Sequence, residues 1–92
     1  MSTSDWTADR TTGGPLDEVF RRLREQVPDL VIEVAAPDHD HFLLRIATSP
    51  EVVELECRPG GRPPFTVSDE YSQIPAADIA TATRAVHELL SA

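Results

Sequence analysis

Apolar residues recur at Leu16, Val19, Phe20, Leu23 and Val27, a spacing that puts them on one face of an α-helix. Pro15 suits the first turn, and Asp17 and Glu18 bring negative charge to the positive end of the helix dipole. Arg21, Arg22 and Arg24 take the polar side, with Glu18–Arg22 and Arg21–Glu25 spaced for ion pairs and Pro28 ending the helix. The period then changes to two. Leu30, Ile32 and Val34 alternate with Val31, Glu33 and Ala35; Phe42, Leu44 and Ile46 with Leu43, Arg45 and Ala47; Val53, Leu55 and Cys57 with Glu54, Glu56 and Arg58. Three antiparallel strands joined by short turns are the expectation. Pro59 to Pro64 reads as a loop whose prolines bar it from a central strand, Phe65 and Val67 as a short fourth strand, and Asp69 to Gln73 as a loop. A second helix is expected from about Pro75 to Leu90, with Ile79, Ala82, Val86, Leu89 and Leu90 inward and Asp78, Thr81, Arg84, His87, Glu88 and Ser91 facing water.

The predicted order is helix, three or four antiparallel strands, helix. One sheet face is apolar, so both helices should pack on it, giving an α+β two-layer sandwich. Residues 1–14 hold one large apolar side chain, Trp6, apart from the first methionine, and read as a flexible leader; residues 15–92 read as a single domain. Trp6 is the leader's exception: such a lone tryptophan is most often incidental, and otherwise folds back on the domain or docks on a partner.

Charge narrows the function classes. Sixteen acidic residues against eight arginines, with no lysine, give a net charge of −8. Such a surface repels nucleic acid and anionic membranes. No apolar run exceeds three residues and no cationic, apolar leader is present, so a soluble cytoplasmic protein is expected. One cysteine excludes an internal disulfide and a four-cysteine zinc site.

Candidate chemistry is sparse. Asp38-His39-Asp40-His41 is the one cluster of ligand-type side chains, and its two histidines at i,i+2 in an extended segment would share a side; a hairpin turn also collects such residues. Cys57 falls at an inward strand position, where a thiol is a small core hydrophobe with a raised pKa. His87 sits near a helix end, where its role is structural. Asp69-Glu70 and Glu54/Glu56 are carboxylate pairs for which a small two-layer domain offers no evident cleft. No phosphate-binding glycine loop, nucleophile elbow or zinc-protease motif occurs. The expectation is a non-enzymatic protein without a cofactor.

What remains is the second sheet face, built from Val31, Glu33, Leu43, Arg45, Glu54, Glu56, Arg58, Thr66 and Ser68. It reads either as a solvated face with cross-strand Glu–Arg pairs or as a surface whose acidic character steers a basic protein toward it. Glu33, Leu43, Arg45, Glu54, Glu56 and Arg58 are its candidate partner-binding residues.

The stretch Ile74-Pro75-Ala76-Ala77-Asp78, leading into Ala82, Arg84-Ala85-Val86 and Glu88-Leu89, resembles the C-terminal segment of actinobacterial immunity proteins of polymorphic-toxin systems. The resemblance covers about sixteen residues. It implies a bacterial protein that binds and blocks a toxin without catalysis, entering its last helix through the Ile-Pro step. Two other readings fit the same residues: a small acidic adaptor or secretion-chaperone-like protein, including as a homodimer, and a small enzyme or ligand carrier whose site is assembled from distant residues.

Overall fold

A computed structural model of the 92-residue chain describes residue 6, residues 12–35 and residues 40–91. Helix α1 spans Leu16–Gln26 and helix α2 spans Ile79–Ser91. Between them run β1 (Leu30–Val34), β2 (His41–Ile46), β3 (Val53–Arg58), β4 (Arg62–Ser68) and β5 (Gln73–Ala76). The strands form one antiparallel sheet in the order β1-β2-β3-β4-β5. The architecture is the expected α+β arrangement, with a fifth strand added.

Register explains why one sheet face is buried. Ile32 pairs with Leu44, Leu44 with Val53, Phe42 with Leu55, and Leu55 with Val67. Partners across a ladder share a face, so these side chains line up as one apolar surface. Both helices cover it. Phe20 of α1 meets Phe42 edge to face with ring centroids 5.2 Å apart, and α2 packs on β3, β4 and β5. Phe20, Phe42, Phe65, Leu16, Leu23, Ile32, Leu44 and Leu55 are all fully buried.

The fifth strand corrects the reading of residues 73–78. Ile74 and Ala76 pair with Val67 and Phe65, so the Ile-Pro step lies in an edge strand and does not open the helix. Pro75 is tolerated there because an edge strand has one side without a ladder. Helix α2 starts four residues later, at Asp78-Ile79, where the Asp78 carboxylate accepts the Thr81 amide at 2.7 Å. That capping bond holds the Asp78 carboxyl below the usual carboxylate range, the Thr81 hydroxyl adding to it. Ala82, Val86 and Leu90 are buried as expected, while Ile79 and Leu89 are partly so. Thr83, inside this stripe, also turns inward and donates its hydroxyl to the Ile79 carbonyl at 2.7 Å.

The prolines at 63 and 64 also lie within a strand, contrary to the loop reading. Strand β4 is central only where β5 reaches it, from Phe65 to Ser68. Between Arg62 and Phe65 it has β3 on one side alone, with a register shift between Glu56 and Arg58. The rule against prolines in a central strand therefore holds residue by residue.

The packed structure extends to the N-terminal side of Pro15. Trp6, expected within a flexible leader, is 3% exposed and belongs to the core. Its amide donates to the Ile32 carbonyl of β1 at 3.1 Å, and its ring stands edge to face against Phe20 at 5.2 Å. Fold-back is thus the observed alternative for this residue.

Candidate functional site

The open sheet face is built by the same alternation that fills the core. Glu33 pairs with Leu43, Leu43 with Glu54, Glu54 with Ser68, and Ser68 with Gln73, so one row of side chains crosses all five strands. A second row runs His41, Glu56, Thr66 and Pro75. Val31 and Arg45 pair beside them. Of the candidate partner-binding residues, Glu33, Leu43, Arg45, Glu54 and Glu56 are therefore neighbours on one surface. Arg58 is not part of that cluster: it lies past the register shift, opposite Arg62, where the strand pair carries two cations.

Charges on this face are only partly neutralised. The Arg45 Nε lies 3.4 Å from the Glu33 Oε1. Glu54 has His41 Nε2 at 3.9 Å, too far for a hydrogen bond, and that nitrogen is shielded from solvent without a hydrogen-bond partner. Glu56 is exposed and forms no ion pair among the described residues. Leu43 and Val31 are half-buried aliphatics within this polar surround. Such an arrangement can hold a protein surface by shape and charge.

At one end of the face is a groove of about 320 Å³ between the β2–β3 and β4–β5 turns, lined by Pro50, Glu51, Val52, Glu54, Asp69, Glu70 and Tyr71. This corrects the expectation that the carboxylate pairs find no cleft: Glu54, Asp69 and Glu70 share one. Sequence reasoning missed it because the two turns are distant along the chain. Its signal was the lone tyrosine in the polar turn Asp69 to Ser72.

A second buried polar constellation stands at the start of α1. The Asp17 carboxylate is 5% exposed and accepts four hydrogen bonds: from the Trp6 indole at 2.9 Å, the Thr12 amide at 2.8 Å, the Thr12 hydroxyl at 2.9 Å and the Gly13 amide at 2.8 Å. Burial pushes its pKa up, but these donors together outweigh burial and hold it below the ordinary value. The Arg24 guanidinium sits 5.4 Å from the Trp6 ring centroid. Asp17 thus does more than complement the helix dipole: it ties Trp6, Thr12 and Gly13 to α1. On the outer side of α1, Glu18 pairs with Arg22 at 3.1 Å as expected, and Arg21 turns back to Glu18 at 3.3 Å instead of pairing with Glu25. Both pairs are solvent-exposed and screened, so they assist the helix without deciding its stability.

The remaining candidates take ordinary positions. Cys57 is partly buried against the core, and burial, with Asp40 close by, pushes its thiol up to about 11. His87 is exposed on α2. Asp38 and His39 lie outside the described residues; His41 belongs to the open face. Among the described residues, no three His, Cys, Asp or Glu side chains gather as a metal site, and no helix is long and apolar enough to cross a membrane. Comparison with protein-family models, curated proteins and solved structures gave no match.

Proposed function

We propose that this chain is a non-enzymatic protein-interaction domain, of the immunity or inhibitor kind, that binds a more basic protein through its open sheet face. The observation that carries the reading is the row Glu33, Leu43, Glu54 and Ser68 on a face that neither helix covers, with Glu56 beside it. Three carboxylates against the single guanidinium of Arg45 leave the face acidic, and Leu43 supplies an apolar centre. Charge of this kind accelerates encounter more than it tightens the final complex. The net charge of −8 adds to the same steering at longer range.

The test begins with purification from the native host and identification of the bound protein by mass spectrometry. Association is then measured with the wild-type chain and with Glu54→Arg/Glu56→Arg. Both side chains are exposed, so the fold is retained. The expected result is an on-rate lower by about tenfold or more at low ionic strength, with the difference fading as salt is raised. An unchanged on-rate refutes the reading.

A further inference from the structure

Among the described residues, two large hydrophobic side chains stand exposed, Tyr71 at 87% and Val52 at 40%. Both line the groove at the end of the open face, together with Pro50. They come from different turns, so their convergence arises from the fold. Exposed apolar groups gathered in one concavity mark a contact surface more reliably than scattered ones.

Neither wall is loose. The Asp69 carboxylate accepts the amides of Tyr71 and Ser72, each at 2.8 Å, and the Asp69 amide donates to the Ser72 carbonyl at 3.0 Å. These bonds close the β4–β5 turn and present the Tyr71 ring outward. On the facing wall the Glu51 amide donates to the Ser49 hydroxyl at 3.2 Å. With the turn backbone held, only the two side-chain torsions of Tyr71 remain to be fixed on binding.

The charge of the groove states what fits it. Glu51, Glu54, Asp69 and Glu70 line it and no cation does. Glu51, Asp69 and Glu70 form no ion pair among the described residues. With Asp69 Oδ1 occupied by two backbone amides, Asp69 Oδ2 and the carboxylates of Glu51, Glu54 and Glu70 are left to accept hydrogen bonds from outside. A flat cation that stacks on an aromatic face while donating to carboxylates in its plane matches this set, and a guanidinium has that chemistry.

We propose that this groove seats an arginine side chain of the basic protein partner, stacked on Tyr71 and bonded to Glu51, Glu54 or Glu70. The proposal rests on the interaction-domain reading and names one contact within it. A small probe tests it apart from that reading: an acetylated, amidated pentapeptide with arginines at its second and fourth positions, and the same peptide with citrulline in their place. Each is titrated into the full-length 15N-labelled chain.

The expected result is saturable amide shifts confined to residues 51–54 and 69–72, absent with citrulline. Tyr71→Ala, a substitution at an exposed site, should weaken binding about two- to fivefold, the loss of a surface cation–π contact. Glu51→Gln/Glu70→Gln should weaken it further. Shifts spread evenly over the groove, Asp78 and Glu88 overturn the proposal, as does equal binding of the citrulline peptide or full affinity in Tyr71→Ala. Shifts at Glu33, Leu43 and Glu56 with a silent groove overturn it while leaving the open-face reading in place, which the on-rate of Glu56→Arg alone, a residue outside the groove, decides separately.

Discussion

Replacing Asp17 by asparagine keeps the side chain's size and removes its charge. In the wild type three donors converge on Oδ1 and the Gly13 amide meets Oδ2. An amide has one acceptor oxygen, so with that oxygen in the Oδ1 position its NH2 faces the Gly13 N–H, donor against donor. One bond is lost, and the other three fall from the charged class, about 1.5–3 kcal/mol each, toward the neutral one, about 0.5–1.5. Bonds sharing one acceptor are not additive, which sets the expected loss at about 2–4 kcal/mol at pH 7. For a chain of this size that lowers the melting temperature by roughly 10–25 °C.

The pH dependence has a definite sign. The folded pKa of Asp17 lies below its ordinary value of 3.8, so the folded state favours the ionised form. Its stabilisation is complete above about pH 4 and is lost as pH falls through the folded pKa. The asparagine variant lacks this term throughout. The gap between the two proteins should therefore be full at pH 7 and close progressively below pH 4. Urea unfolding followed by the emission of Trp6, the single tryptophan, measures the gap and reports whether the indole stays buried. A loss under about 1 kcal/mol, well below the range expected for these bonds, or a gap that does not narrow as the pH falls below the ordinary value of 3.8, refutes the reasoning.

Two further outcomes follow from the same structure. A Cβ at Gly14 would collide with the Gly60 and Gly61 carbonyls of the β3–β4 turn, and the Gly61 carbonyl accepts the Leu16 amide at the start of α1 at 2.9 Å; Gly14→Ala should cost about 1–3 kcal/mol in chemical denaturation, as overpacked sites do, and a neutral result would show that the turn and helix can separate freely. With its thiol raised to about 11, Cys57 should react with a thiol reagent at pH 8 at least tenfold more slowly than a free cysteine of ordinary pKa, about 8.5; labelling as fast in the native protein as in urea would place the thiol in solvent.

The comparison of pattern and fold turns on particular residues. Strands β1 to β3 were legible because their alternation is local: Ile32, Leu44 and Leu55 face inward wherever the strands lie. The open face was legible for the same reason, since the residues between them must face the other way. Helix α1 was legible from its spacing and from Pro28. Strand β5 was not, because Gln73-Ile74-Pro75-Ala76 has no periodicity of its own and is held by pairing with Phe65 to Ser68. The helix start at Asp78 follows from that pairing, which withdraws Pro75 and Ala76 from the helix.

Charge and alternation along the chain thus determined the layers, the buried face and the acidity of the face left open. These depend on each residue's neighbours in sequence and on the period of its element. Only the tertiary structure decided what Asp17, Trp6 and Tyr71 do. Asp17 and Trp6 lie eleven positions apart, and their hydrogen bond forms because Trp6 sits at the edge of β1, its amide bonded to the Ile32 carbonyl. Val52 and Tyr71 share a groove because β3 and β4 pair in register and bring their turns together. Contacts of that kind are properties of register and packing, which no local pattern encodes.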